Sequence, residues 1–117
     1  MSEKYLINCA HGAEDAEKAT IAFILAFTSS KTNETAVFVT SGATELVTRN
    51  RPSVQATGYE PLSGLVDGFV ENGGSIWLCP ACAKAKGVTE ADLIPGVEIA
   101  GAPKTMAYLA DGAKTLA

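Results

Sequence analysis

Short apolar runs separated by turn residues divide the chain into alternating predicted strands and helices. Four of these runs are rich in β-branched or aromatic residues, which is typical of buried strands. They are Tyr5 to Ile7, Thr35 to Thr40, Ser75 to Leu78 and Val97 to Ile99. Strands that alternate with helices are joined by right-handed crossovers and pair in parallel. The pattern therefore predicts an α/β fold in which helices cover both faces of a mostly parallel sheet of four to five strands.

Apolar residues at helical spacing predict the helices between these strands. The clearest pattern follows Pro61, which suits a first helical turn, and stops at Gly73-Gly74. Its apolar positions, spaced i, i+3, i+4, i+7 and i+8, are Leu62, Leu65, Val66, Phe69 and Val70. Shorter helices are predicted from Pro80 to Lys86 and from about Pro103. The segment Asn50 to Tyr59 has no clear period, so we expect a loop long enough to serve as a lid or contact arm.

The first predicted helix, from about Ala13 to Ser29, is more apolar than a helix with a solvated outer side. Ile21, Ile24 and Leu25 add apolar surface beside the stripe that is expected to face the sheet. Because large exposed apolar patches mark interaction sites, we expect part of this helix to be buried against another subunit.

The composition is that of an ordinary globular domain, with 47% hydrophobic and 19% charged residues among 117. This length predicts a single domain, residues 1–117. The net charge is -4 and the basic residues are scattered, so nucleic acid is not an expected partner. The longest apolar stretch, Ile21 to Phe27, is too short to cross a bilayer, and no signal peptide pattern precedes the first strand. We therefore expect a cytoplasmic protein without membrane contact.

Three cysteines and the single histidine follow two of the predicted strands. Cys9 and His11 follow the first strand, Cys79 follows the third, and Cys82 comes three residues later. The carboxyl ends of parallel strands meet at one edge of the sheet, where α/β folds bind their ligands. An odd number of cysteines with a C-x-x-C pair does not resemble a secreted disulfide framework, so reduced thiols are expected.

Cys79 is the leading candidate for chemistry at this edge. A thiolate is the nucleophilic form of cysteine, and a helix opened by Pro80 offers free backbone N–H groups that lower a thiol pKa. Cys82 is suited either to a resolving disulfide with Cys79 or to packing a helix face. His11 is suited to orienting a ligand, holding a thiolate or capping a helix. For Cys9, directly after a buried strand, a packing role is favoured.

Two alternatives to a catalytic cysteine stay open. Cys9, His11, Cys79 and Cys82 together have the composition of a Cys₃His zinc site, so a non-catalytic zinc or small-ligand binding module is one alternative. The other is an oligomeric assembly subunit without chemistry, held together by the apolar first helix and the segment Asn50 to Tyr59. The sequence has neither a GxGxxG nor a P-loop pattern, so no cofactor is predicted.

The segment from Gly73 to Val88 resembles the DsrE/DsrF-like family of sulfur-relay proteins. The resemblance also covers residues 5–8, 14–27 and 36–40 and the turn at residues 101–103. It implies a three-layer α/β/α sandwich and assembly into dimers, trimers or hexamers. In sulfur-relay members of the family, a cysteine carries a persulfide.

That cysteine precedes a helix of the form Cys, three small or apolar residues, Ala, two residues, a basic residue and Gly. The residues that match this form are Cys79, Ala83, Lys86 and Gly87. The resemblance therefore places the persulfide on Cys79, whereas Pro80 and Cys82 depart from the form and are similar to a second group within the family. It implies a sulfur carrier with possible sulfurtransferase-like activity, whose partners are sulfur donor and acceptor proteins.

Overall fold

The structure, a computed structural model, describes residues 3–116. Five strands are present: β1 Lys4–Cys9, β2 Glu34–Val39, β3 Ser75–Leu78, β4 Val97–Ile99 and β5 Lys114–Leu116. The α-helices are α1 Ala16–Ser30, α2 Leu62–Glu71, α3 Pro80–Ala85 and α4 Ala102–Ala110, and short 3₁₀ helices span Ala13–Asp15, Ser41–Val47 and Glu90–Asp92. The ends of the predicted domain, residues 1–2 and 117, lie outside the described residues.

The strands form one sheet in the order β4-β3-β2-β1-β5, and every neighbouring pair is parallel. The helices α1 and α2 cover one face and α4 covers the other, which confirms the predicted three-layer α/β/α arrangement. The four strands predicted from apolar runs are confirmed as β1 to β4. In the described part of the chain, no helix is both long enough and apolar enough to cross a membrane.

The main core lies between the sheet and the helices α1 and α2. Its largest side chains include Phe23 of α1 and Phe69 of α2, whose rings meet edge to face with centroids 6.3 Å apart. On the opposite face, Trp77 of β3 packs edge to face against Tyr108 of α4 at 5.1 Å. Because both faces of the sheet are covered by close-packed apolar side chains, the strand ends have fixed positions.

The carboxyl ends of β1, β2, β3 and β4 lie side by side. The paired residues at these ends are Cys9 with Val39, Val39 with Leu78, and Leu78 with Ile99. Backbone hydrogen bonds extend this alignment into the loops: Thr40 donates to Cys9, Cys79 to Val39 and Ala100 to Leu78, at 3.0 to 3.1 Å. The predicted edge for chemistry is therefore formed.

The segment Asn50 to Tyr59 has no helix or strand, as predicted, and it packs on its own chain. Val54 is buried in the main core, and its carbonyl accepts a hydrogen bond from the backbone of Leu62 at 2.9 Å. The hydroxyl of Tyr59 donates to Glu17 of α1 at 3.2 Å. The segment therefore contacts both α1 and the start of α2.

An apolar surface runs along α1 toward β5. It comprises Ile21, Leu25 and Leu116, which are 41%, 42% and 44% exposed, and we call it the α1 patch. Leu116 belongs to β5, which is the outermost strand beside β1 among the described residues.

Candidate functional site

Cys79 lies where the sequence pattern placed it, between β3 and α3. It is the residue before the helix, it is half-buried, and Pro80 occupies the first helical position. Its N–H donates to Val39 of β2, and its carbonyl accepts the N–H of Ala83 at 3.0 Å. These two hydrogen bonds fix the backbone on both sides of the thiol.

The pKa of the Cys79 thiol is lowered from its ordinary value. The backbone N–H of Cys82 is the largest cause, and the Cys82 thiol and the backbone N–H of Ala81 act in the same direction, against partial burial. None of these groups makes a well-aligned capping hydrogen bond to the Cys79 sulfur. They therefore favour the thiolate through the partial charges of their N–H and S–H dipoles.

The sulfur of Cys82, in the first turn of α3, contacts the loop that follows β2. It accepts a hydrogen bond from the backbone N–H of Ser41 at 3.3 Å. Ser41 has φ 50°, and among residues 3–116 it is the one non-glycine residue with positive φ. Backbone strain of this kind costs about 1–3 kcal/mol and is found most often at functional sites. A sequence signal for Ser41 exists only as the Ser-Gly pair after β2, which usually indicates a turn.

Glycines let the loops after β1 and β2 approach each other and so place Ser41. A Cβ on Gly12 would lie 2.2 Å from the carbonyl oxygen of Gly42 and 2.6 Å from a carboxylate oxygen of Glu45. The same Glu45 carboxylate accepts the backbone N–H of Ala13 at 2.8 Å. The sequence pattern did not identify Gly12, Gly42 or Glu45 as supports of the site, because the contact joins two distant segments.

Cys9 lies in the main core, in the packing role that was favoured for it. It is 2% exposed, and its thiol donates to the carbonyl of His11 at 3.6 Å. Burial raises the pKa of Cys9 to about 11. The thiol is therefore neutral and shielded from reagents near neutral pH.

His11 is not brought to the two thiols of α3. Its Nδ1 lies 2.8 Å from a carboxylate oxygen of Glu14, and that carboxylate also accepts the N–H of Gly12. Because β2 lies between β1 and β3, the ends of the latter two strands are about 10 Å apart. His11 instead lines a surface cavity of about 390 Å³ with Lys18, Ile21 and other residues of β1 and α1.

The structure does not form the zinc site that the composition allowed. Within residues 3–116, no three His, Cys, Asp or Glu side chains are placed to hold a metal ion. Cys9 is buried, the ring of His11 contacts Glu14, and Cys79 and Cys82 are the pair left at one strand end. The zinc-module alternative is therefore wrong for the four residues that suggested it.

Comparison with known sequences identifies one family and one distant relative. The sequence model of the DsrE/DsrF-like family matches residues 3–117. An uncharacterized protein of Methanocaldococcus jannaschii, MJ0760, is 32% identical over 111 residues, which cover 93% of this chain. The chain spans about 40% of the length of that relative.

Comparison with solved structures shows the same fold in proteins of low sequence identity. A protein of unknown function from Methanobacterium thermoautotrophicum, MTH1491, superposes with a TM-score of 0.72 at 15% identity, covering 98% of both chains. The YchN protein of E. coli superposes with a TM-score of 0.71 at 19% identity, covering 99% of this chain and 100% of that one.

Proposed function

Because the chain belongs to the DsrE/DsrF-like family, we propose that it is a sulfur carrier with sulfurtransferase-like activity that holds a persulfide on Cys79. The observation that carries this proposal is the environment of the Cys79 thiol, which is half-buried at a strand end and has a lowered pKa. Thiolate character combined with access distinguishes a reactive cysteine from a core cysteine. Cys79 also occupies the position at which the resemblance places the persulfide.

The transfer step needs only thiol chemistry. The Cys79 thiolate attacks the outer sulfur of a donor persulfide, so that a bond forms between this sulfur and Cys79 Sγ. The sulfur–sulfur bond of the donor breaks, and the donor cysteine leaves as its thiolate. An acceptor thiolate removes the outer sulfur from Cys79 by the same step. No oxidant is consumed in either direction.

The partners of this chemistry are a sulfur donor protein and a sulfur acceptor protein. Both must present a cysteine at the edge of the sheet where Cys79 lies. All three cysteines of the chain are free thiols. We place the protein in the cytoplasm, because that compartment keeps such thiols reduced.

The assembly proposed for the chain is a homo-oligomer that buries the α1 patch. Three large apolar side chains, each more than two-fifths exposed, lie on α1 and on β5, the outermost strand beside β1 among the described residues. A second copy of this chain would cover this apolar surface.

Mass spectrometry after brief incubation with a small-molecule persulfide tests the carrier function. Wild type and Cys82→Ser are expected to gain one sulfur atom on the peptide that contains Cys79, and Cys79→Ser is expected to gain none there. Cys9→Ala is the matched control. It removes a thiol from the same edge of the sheet, but that thiol is buried, so its uptake of sulfur should equal that of wild type.

Two results would contradict the carrier function. One is that neither wild type nor Cys82→Ser takes up sulfur on Cys79. The other is that Cys79→Ser takes up as much sulfur as wild type.

A further inference from the structure

The spacing of Cys79 and Cys82 permits a disulfide without movement of the backbone. Cys79 precedes α3 and Cys82 lies in its first turn. Helical geometry separates residues three apart by about 5 Å between their Cα atoms, inside the range of roughly 4.4–6.8 Å that disulfides require. The Cys82 thiol is also near enough to the Cys79 sulfur to help lower its pKa. The pair is therefore preorganised for direct reaction.

The Cys82 sulfur also accepts a hydrogen bond from a residue outside its own helix. The N–H of Ser41 that donates to it belongs to the loop after β2, which adopts a left-handed backbone at this residue. The carbonyl of Thr40 accepts the N–H of Ala43 at 3.0 Å, which closes the turn around Ser41. A simple packing role for Cys82 does not require a strained residue to donate to its sulfur. The contact instead fixes the sulfur beside Cys79.

We propose that Cys82 discharges the Cys79 persulfide and releases its outer sulfur as hydrosulfide. This inference rests on the proposed function, because it requires the persulfide to form on Cys79. It adds an activity: the chain reduces sulfane sulfur to sulfide in a single turnover, in competition with transfer to an acceptor.

The atoms and electrons of this step balance within the pair. The Cys82 sulfur attacks Cys79 Sγ, and a disulfide bond forms between the two cysteines. The bond from Cys79 Sγ to the outer sulfur breaks, and this sulfur takes the electron pair and the proton of the Cys82 thiol. The Cys82 sulfur is oxidised and the outer sulfur is reduced, whereas Cys79 Sγ exchanges one sulfur–sulfur bond for another. A dithiol reductant restores both thiols for the next turnover.

Sulfide release from preloaded protein tests this activity. Wild type, Cys82→Ser and Cys9→Ala are loaded with glutathione persulfide, freed of excess reagent and incubated without oxygen or reductant. Wild type is expected to release about one sulfide per chain and to lose the mass of one sulfur and two hydrogen atoms, which leaves a disulfide two hydrogen atoms lighter than the unloaded dithiol. Cys9→Ala should match it. Cys82→Ser should keep its persulfide and release sulfide at least about tenfold more slowly.

The possible outcomes separate the two proposals. If wild type retains its persulfide as long as Cys82→Ser, the discharge activity is wrong while the carrier function stands. The discharge activity is also wrong if the disulfide that forms includes Cys9. If Cys82→Ser never acquires sulfur on Cys79, the carrier function fails and the discharge activity fails with it.

Discussion

Cys9 and Cys79 follow strands of the same sheet, yet the pKa values of their thiols shift in opposite directions. Cys9 ends β1 with its sulfur in the core, and burial, together with a smaller effect of the Glu14 charge, raises its pKa. Cys79 lies one residue beyond β3, where backbone N–H groups of the next helix face its sulfur and lower its pKa. A difference of one residue in position relative to the strand end therefore accompanies opposite pKa shifts of the two thiols.

The rate of alkylation as a function of pH provides a test at this scale. Because the thiolate reacts and the pKa of Cys79 is lowered, its rate should rise at a lower pH than that of the unfolded chain. Cys9 should stay unmodified in the folded protein. Cys82→Ala removes one of the stabilising groups but keeps the backbone N–H, which is the larger cause. The Cys79 profile of this variant should move upward in pH and remain below that of the unfolded chain.

Peptide mass spectrometry after iodoacetamide treatment measures both thiols in one sample. Equal rates for Cys79 and Cys9 in the folded protein would contradict the assignment of the reactive thiol. So would a Cys79 profile at or above that of the unfolded chain.

At the scale of elements, the close packing of the loops after β1 and β2 sets the orientation of the Ser41 backbone N–H. Replacing Gly12 by Ala forces a Cβ against the Gly42 carbonyl, a backbone atom that cannot rotate away. We expect Gly12→Ala to lose about 1–3 kcal/mol of the free energy of unfolding, as in other overpacked sites. We also expect slower sulfide release, because the loop must move away from Cys82.

Gly64 in α2 provides the matched control for that substitution. It lies inside a helix, and a Cβ there would have no atom within 4 Å. Gly64→Ala should therefore stabilise the protein by about 0.5–1 kcal/mol, through helix propensity alone. Urea unfolding of both variants measures the difference. Equal stability changes in the two variants would show that the loops after β1 and β2 are not closely packed.

Sequence patterns predict the elements that have their own hydrophobic signal and miss those that depend on a partner. The strand β3 with Cys79 behind it could be predicted, because a buried apolar run is followed by Pro80. The strand β5 could not, since Lys114–Leu116 is short, exposed and formed only by pairing with β1. The contact of Ser41 with Cys82 was missed for the same physical reason. It joins residues 41 positions apart through loop geometry that no local pattern encodes.

At the scale of the whole molecule, the thiol pair and the apolar α1 patch lie on different parts of the surface. The thiol pair lies at the carboxyl end of the sheet, whereas the α1 patch lies along α1 and on β5. Because β2 and β1 lie between β3 and β5, we expect assembly through the patch to leave Cys79 accessible to a donor or acceptor. A variant that disrupts assembly should therefore retain its thiol chemistry.

Charge substitution in the α1 patch tests the proposed assembly. Ile21→Lys and Leu25→Lys place a charge on apolar surface that a second copy would bury, so each should raise the dissociation constant of the oligomer by about tenfold or more. Met106→Lys is the control, since Met106 is 61% exposed on α4 at the opposite face of the sheet. Sedimentation velocity over a range of concentrations measures all three variants. Wild type and Met106→Lys should both sediment as oligomers. A monomeric wild type would contradict assembly through this patch. So would an oligomer that is unchanged by Ile21→Lys and Leu25→Lys.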